Sequence, residues 1–264
     1  MSAASSDIST GRLIQDGAHS GEFNMAADVY AAQEAAYSEQ VILRLYTWDQ
    51  PTLSLGFHQK FDEVLRGSYA ARGIPIVRRP TGGRAVLHDQ ELTYCLAIPT
   101  SHRLIMEGKD RLQEDIGRAF VEAGQLIGLQ PQLVRRGVED RGAQMRLASG
   151  SPLCFDGISR WEVRLNGRKW IGSAQRIFPH AYLQHGSILL GRSTSIIEIS
   201  NRYQERMPGD DDPCEADLRQ SIPGAFGDLL GVHWAEMGFN ERDILNIRAQ
   251  MKDEDPSCSL KAAS

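Results

Sequence analysis

One stretch of the chain decides how the rest is interpreted: Arg78-Arg79-Pro80-Thr81-Gly82-Gly83-Arg84-Ala85-Val86-Leu87-His88. A glycine pair lets the backbone approach a ligand closely, because neither residue has a Cβ and both tolerate positive φ. Arginines beside such a pair can hold a carboxylate, phosphate or carbonyl oxygen through two N–H groups. The stretch therefore predicts a loop that cradles an anion or an acyl group, and an ordinary turn is the alternative.

Two residues further along the chain favour the ligand-binding interpretation. Cys154 and Lys169 are separated by a β-hairpin whose turn is predicted at Asn166-Gly167. Lysine is rare here, with five among 29 basic residues. A lysine in such a chain fits a need for a compact ammonium, whose pKa can shift as that of Arg does not, and chance substitution is the alternative. An ammonium beside a thiol favours the thiolate, so the pair is compatible with a nucleophilic cysteine if the hairpin brings the two side chains together. The alternative for Cys154 is a small buried side chain.

Composition and charge exclude several classes of protein. A chain of 264 residues can bury a large core as one large domain or two modest ones. The net charge of −5 argues against nucleic acid as the main partner. There is no apolar run of about 18 residues and no signal-peptide pattern, so we expect a cytoplasmic protein with no membrane contact. The four cysteines show no paired metal-ligand spacing, so we expect no metal site.

Strand patterns fill the middle of the chain and helical patterns fill both ends. Helical spacing covers 22–38 and 105–128, and the chain after residue 191 reads as mostly helical, including the stretch 226–237. The strand patterns are 12–15, 41–47, 52–57, 74–78, 85–87, 91–98, 129–135, 160–165, 168–177 and 181–190. This order predicts an α+β fold, in which a mixed or antiparallel β-sheet core is flanked by helices. We expect residues 1–10 to be disordered, 11–255 to form a single catalytic domain and 256–264 to form a flexible tail.

The chain resembles the lipoate and biotin protein ligase superfamily through motifs that span roughly residues 20–200. The motifs are Asn24-Met25-Ala26, Leu43-Arg44-Leu45-Tyr46 with Trp48, Thr52-Leu53-Ser54-Leu55-Gly56, the loop with its continuation Asp89-Gln90-Glu91-Leu92-Thr93-Tyr94, Cys154-Phe155, Asn166-Gly167-Arg168-Lys169, Gly172-Ser173-Ala174-Gln175 and Leu183-Gln184-His185-Gly186-Ser187. Within the superfamily it most resembles the octanoyltransferases found in many Gram-positive bacteria. This choice depends mainly on Cys154.

The resemblance implies a biotin/lipoate protein ligase-like catalytic domain with an acyl tunnel between the glycine loop and Gly172–Gln175. It implies transfer of an octanoyl group from an acyl-carrier protein to a lysine of a lipoyl domain, such as the glycine cleavage H protein or a dehydrogenase E2 subunit, without a cofactor. Cys154 is implied as the residue that carries the acyl thioester, and Lys169 as the residue that activates it. The alternative is an ATP-dependent lipoate–protein ligase, which would use ATP and Mg²⁺ to form a lipoyl-adenylate.

The remaining candidate residues are expected to bind the substrate. The tetrahedral intermediates of acyl transfer need N–H donors aimed at the oxyanion, and the backbone near four residues is the expected source: Gly82, Gly83, Ser173 and Ala174. The expected walls and entrance of the pocket are formed by Arg79, Arg84, His88, His185 and Gly186. For the two histidines, a hydrogen-bonded structural role is the alternative. Cys95 lies in an alternating strand and is expected in the core.

Overall fold

The computed structural model describes residues 9–60, 63–135, 161–190 and 213–251. The strands are β1 (Ser9–His19), β2 (Ile42–Trp48), β3 (Thr52–Leu55), β4 (Ile76–Arg78), β5 (Val86–His88), β6 (Glu91–Pro99), β7 (Gln132–Arg135), β8 (Trp161–Leu165), β9 (Arg168–Ile177), β10 (Ala181–Leu189) and β11 (Val232–Glu236). The helices are α1 (Gly21–Ser38), α2 (Glu63–Ala70), α3 (Arg103–Met106), α4 (Lys109–Leu126), α5 (Glu215–Leu230) and α6 (Glu241–Gln250).

Eight strands form one large mixed sheet in the order β11-β1-β2-β6-β10-β9-β8-β7, and three form a small sheet in the order β4-β3-β5. Strand β1 runs parallel to both of its neighbours, and the other pairs of the large sheet are antiparallel. Helices α4 and α5 pack on one face of this sheet, and α1 packs on the other. The expected α+β fold with a mixed sheet core and flanking helices is confirmed.

Helix α1 is attached to the sheet by buried charge as well as by apolar contacts. Arg44 of β2 is fully buried beneath the helix. Its guanidinium donates to Asn24 Oδ1 at 2.7 Å and to Asp28 Oδ1 at 3.1 Å, and it contacts Asp16 Oδ2 at 2.7 Å. Such a buried cation is tolerated only when its N–H groups are matched by acceptors. The network therefore fixes the position of α1 over β2.

The structure corrects the predicted helices in two places. The pattern over 105–128 becomes two helices, because Gly108 adopts a φ of 105° between α3 and α4. The helical interpretation of 226–237 is wrong beyond Leu230, where Gly231 caps α5 in the left-handed conformation and the chain enters β11. Strand β11 pairs in parallel with β1 and forms one edge of the large sheet.

The predicted ends of the domain are only partly within the described residues. Ser9 and Thr10 belong to β1, so the expected disordered segment 1–10 overlaps a strand by two residues. The boundary at 255 and the tail 256–264 lie outside the described residues, as does Cys154. No helix among the described residues has the length and apolar character that a membrane span needs.

Candidate active site

A cavity with mostly apolar walls lies between the small sheet, α1 and strands β9 and β10. The empty space between these elements is about 400 Å³, including the open mouth. Six of the predicted substrate-binding residues line it: Arg79, His88, Ser173, Ala174, His185 and Gly186. Six further lining residues were not named individually as site residues: Met25, Tyr46, Val86, Thr93, Gly172 and Ser187. All six stand in the motifs of the resemblance, with Val86 in the stretch Arg78–His88, so the signal for them was present.

The glycine loop, residues 79–85, is held to the protein through its carbonyl groups. The buried Arg79 guanidinium donates to Gly82 O at 2.8 Å and to Arg84 O at 2.6 Å, and also to the backbone and side chain of Ser54. The Phe57 N–H donates to Thr81 O at 2.8 Å. Arg79 is therefore a structural part of the loop as well as a wall of the cavity.

The N–H groups of the glycine pair differ from the loop carbonyls in their hydrogen bonding. Among the described residues, none accepts a hydrogen bond from the N–H of Gly82 or Gly83. Gly83 has a φ of 97°, in the region that favours glycine. These two donors can therefore serve a ligand oxygen, although Gly82, Gly83 and Arg84 are not among the residues that line the cavity.

Close backbone approach explains two glycines at the site. A Cβ added to Gly56 would lie 1.8 Å from Gly83 O, and one added to Gly186 would lie 2.3 Å from Gly172 O. Neither position has room for a side chain. The glycine at 56 lets β3 support the loop, and the glycine at 186 lets β10 pair closely with β9 at the cavity wall.

His88 is held rigidly in the cavity wall. Its Nε2 lies 2.7 Å from Ser54 Oγ and its Nδ1 lies 2.7 Å from Glu91 Oε1. The imidazole stacks on Trp48 with 3.9 Å between ring centroids. The same Glu91 oxygen accepts from Ser187 Oγ at 2.8 Å. Both ring nitrogens are thus occupied, which fits the structural alternative, and the ring still presents surface to the cavity.

His185 is also bonded through both nitrogens. Nδ1 lies 2.7 Å from Asp28 Oδ2, and Nε2 lies 2.6 Å from Thr81 Oγ1. On the other side of β10, Tyr94 donates its hydroxyl proton to Ser173 Oγ at 2.7 Å. Burial raises the pKa of Tyr94 to about 12, so its hydroxyl stays protonated and keeps this role. The polar side chains of the wall are therefore preorganised.

A β-bulge decides which face of the sheet carries Lys169. Val163 pairs with Ile171 and Arg164 pairs with Lys169, so one step in β8 matches two steps in β9 and Trp170 is the extra residue. Trp170 and Ile171 both pack into the core on the α4 side. Alternation on each side of the bulge then places the half-buried Lys169 on the opposite face, together with the cavity residues Gly172 and Ala174.

The two cysteines among the described residues have different environments. Cys95 is fully buried, and burial raises the pKa of its thiol well above the usual value. This confirms its expected place in the core. Cys214 is exposed at the start of α5. The predicted role of Cys154 falls outside the described residues, so it stays a prediction, as does the pairing of Cys154 with Lys169.

Sequence comparison identifies relatives over most of the chain. The model of the lipoyl protein ligase A/B catalytic domain matches residues 20–221. Octanoyltransferase LipM of Kyrpidia tusciae is 40% identical over 187 residues, which cover 69% of this chain and 67% of that protein. Octanoyltransferase LipM of Brevibacillus brevis is 37% identical over 205 residues, which cover 74% and 73%.

Solved structures share the fold at lower sequence identity. The crystal structure of lipoate-protein ligase A bound with ATP has a TM-score of 0.70 at 19% identity, covering 94% of this chain and 96% of that chain. The bipartite lipoate protein ligase of Thermoplasma acidophilum has a TM-score of 0.67 at 19% identity, covering 94% of both. These structures show the fold, and the family match over residues 20–221 shows that the chain belongs to the lipoyl protein ligase A/B catalytic domain family.

Proposed function

We propose that this chain is an octanoyltransferase, which moves an octanoyl group from an acyl-carrier protein to a lysine of a lipoyl domain through a thioester on Cys154. The observation that carries the proposal is the 40% identity to a protein named octanoyltransferase. The lipoyl-domain acceptor is supported by the Thermoplasma ligase, whose structure was described together with its E2 lipoyl domain. The acyl-carrier donor is what the resemblance to the octanoyltransferases implies.

The cavity supports an acyl substrate. Its mostly apolar surface suits a saturated chain, and three of its polar side chains are held in fixed positions by Asp28, Glu91 and Tyr94. The N–H groups of Gly82 and Gly83 are candidates to donate to a carbonyl oxygen that becomes negative during the reaction. We assign these two residues the oxyanion role.

The reaction proceeds in two balanced steps. The Cys154 thiolate attacks the carbonyl carbon of the donor thioester, a C–S bond forms, and the phosphopantetheine thiol leaves as a thiolate that takes a proton. The neutral amine of the acceptor lysine then attacks the acyl-cysteine, an amide forms, the amine loses a proton and Cys154 leaves as a thiolate. A covalent relay of this kind lets the two protein substrates dock separately.

Lys169 supports the first step because a nearby ammonium stabilises the thiolate. A cysteine with a pKa of about 8.5 is only about 3% ionised at pH 7, whereas a pKa of about 6.5 makes it about 75% ionised. The bulge at Trp170 places Lys169 on the same face as the cavity residues. We therefore propose Lys169 as the residue that activates Cys154.

Intact-mass measurement tests the proposal. The wild-type protein is mixed with octanoyl-acyl-carrier protein in the absence of ATP, and one octanoyl adduct is expected. Cys154→Ser should lose the adduct, and the control Cys214→Ser, at an exposed cysteine, should keep it. An adduct that survives in Cys154→Ser would contradict the thioester, and modification of a lipoyl domain only with ATP and Mg²⁺ would establish the ligase instead.

A further inference from the structure

A continuous chain of buried hydrogen bonds links the core of the protein to the glycine loop. Asp28 of α1 accepts from Arg44 at 3.1 Å, from the Tyr46 hydroxyl at 2.9 Å and lies 2.7 Å from His185 Nδ1. His185 Nε2 in turn lies 2.6 Å from Thr81 Oγ1. Asp28 and Thr81 have no exposed surface, and His185 is 4% exposed.

The buried charges determine the direction of the hydrogen bond between Asp28 and His185. The Asp28 carboxylate is paired with a fully buried guanidinium, so it acts only as an acceptor. His185 Nδ1 therefore carries a proton and donates it to Asp28. In a neutral imidazole the other nitrogen is then an acceptor, and the Thr81 hydroxyl donates to Nε2.

The order of groups, carboxylate, imidazole and hydroxyl, is that of a hydrolase triad, but Thr81 is not a nucleophile. Its side chain has no exposed surface, so no substrate atom can reach Oγ1 from solvent. Its hydroxyl is already hydrogen-bonded to His185 Nε2 within the protein. The arrangement therefore affects the position of the glycine loop and not the chemistry of Thr81.

Thr81 is the one residue among 80–83 whose side chain can form a hydrogen bond, because Pro80, Gly82 and Gly83 have none. Its partner His185 lies on β10 directly opposite Ala174 of β9, in the cavity wall. The Thr81–His185 hydrogen bond therefore connects the loop to that wall. It helps to determine where the N–H groups of Gly82 and Gly83 lie relative to the cavity.

We infer that Asp28, His185 and Thr81 form a latch that fixes the glycine loop against the cavity wall, which makes Asp28 and Thr81 positioning residues for the acyl transfer. The expected effect on the rate of acyl transfer rests on the proposed function, whereas the expected effect on the position of the loop rests on the geometry alone. His185, expected as a substrate-binding wall, acts in this arrangement mainly through Thr81.

Two substitutions at one position test the latch. Thr81→Val keeps the shape of the side chain and removes the hydroxyl, which leaves His185 Nε2 without its donor. Thr81→Ser keeps the hydroxyl. Losing a buried hydrogen bond and leaving its partner unsatisfied lowers the stability of the closed loop enough for an effect of about tenfold.

The structural measurement is amide hydrogen exchange at Phe57, whose N–H donates to Thr81 O. We expect exchange about tenfold faster in Thr81→Val and within about twofold of wild type in Thr81→Ser. The Thr100 amide, which donates to His180 O, is the control and should not change. Wild-type exchange at Phe57 in Thr81→Val would overturn the latch, even if the chain proved not to be a transferase.

The kinetic measurement is octanoyl transfer to a lipoyl domain under saturating donor. We expect Thr81→Val to lower kcat about tenfold with little change in KM, because the loop positions the oxyanion donors and does not hold the acyl tail. Thr81→Ser should recover most of this loss. Faster exchange at Phe57 with an unchanged kcat would refute the positioning role. An inactive wild-type protein would refute the proposed function, and the exchange result alone would then decide whether the latch exists.

Discussion

Replacement of Gly56 by alanine tests the closest backbone contact at the site. The new Cβ would lie 1.8 Å from Gly83 O and 2.8 Å from Gly83 C, whereas real Cβ contacts below 3.0 Å are essentially never seen. The loop or β3 must therefore move by at least 1.2 Å. Backbone atoms rather than a flexible side chain block the space, so the strain cannot be relieved by a rotamer change.

The expected cost follows from this displacement. Overpacking of a closely packed site costs about 1–3 kcal/mol. For a chain of this size, each kcal/mol lowers Tm by about 2–4 °C. A displacement of about 1 Å at reacting groups can reduce the rate about 100-fold, so we expect the rate to fall far more than the stability.

The assay combines thermal unfolding with single-turnover octanoyl transfer. Gly67→Ala in α2 is the control, because an added Cβ there meets nothing within 4 Å and alanine favours a helix. A Gly56→Ala protein with wild-type Tm and transfer rate would refute the reasoning. So would a fall in Tm that Gly67→Ala reproduces, because the effect would then not come from contact with Gly83.

Three further predictions concern stability and the bulge. Arg44→Met should destabilise the protein by about 3–5 kcal/mol in urea unfolding, because it leaves the Asp28 carboxylate buried without its cation; a loss below about 1 kcal/mol would contradict the network. Burial opposes ionisation of Asp243, but hydrogen bonds from Tyr30, Arg12 and the Asn240 backbone outweigh it, so the pKa of Asp243 lies below its usual 3.8. A carboxyl group with a lowered pKa stabilises the fold at pH values above its unfolded-state pKa, and this stabilisation is lost as the pH falls through its folded-state pKa. The difference in unfolding free energy between wild type and Asp243→Asn, measured across pH, should therefore be largest near pH 7 and shrink below about pH 4. Trp170→Phe loses the hydrogen bond to Leu189 O and should lower the free energy of unfolding by about 1–3 kcal/mol. It should also lower the rate of Cys154 acylation, because the bulge orients Lys169. An unchanged acylation rate would show that the bulge does not control the position of Lys169.

The sequence located the central strands of the large sheet most closely. Strands β6 and β10 were located to within one residue at each end, and both are buried along almost their whole length. Pro223 lies in the interior of helix α5, where a proline usually interrupts a helix. The structure keeps it continuous, since the Gln15 side chain donates at 2.9 Å to Arg219 O, the carbonyl that the missing Pro223 N–H would have bonded. That partner comes from 204 residues away, so no local pattern could reveal it.

The candidate site was predictable at the level of its segments but not of its bonding. The glycine loop and the strands β9 and β10 were expected to meet, and six predicted residues do line one cavity. The sequence suggested that Arg79 offers free N–H groups to a ligand, whereas the structure uses them on Ser54, Gly82 and Arg84. Loop carbonyls need donors, and a sequence does not state where those donors come from.

The orientation of Lys169 shows why residue spacing alone cannot position a catalytic group. Strict alternation would put Lys169 and Gly172 on opposite faces of β9, because they are three residues apart. The extra residue Trp170 reverses that outcome. The indole packs against Gly124 of α4, where an added Cβ would lie 3.1 Å from the ring and 2.7 Å from Pro131 Cγ. The bulge that orients Lys169 is therefore packed against a helix on the opposite side of the sheet, and the latch at Thr81 is connected to a buried arginine beneath α1. In both cases the site is oriented by packing within the core, so substitutions well away from the cavity are expected to change its chemistry before they unfold the protein.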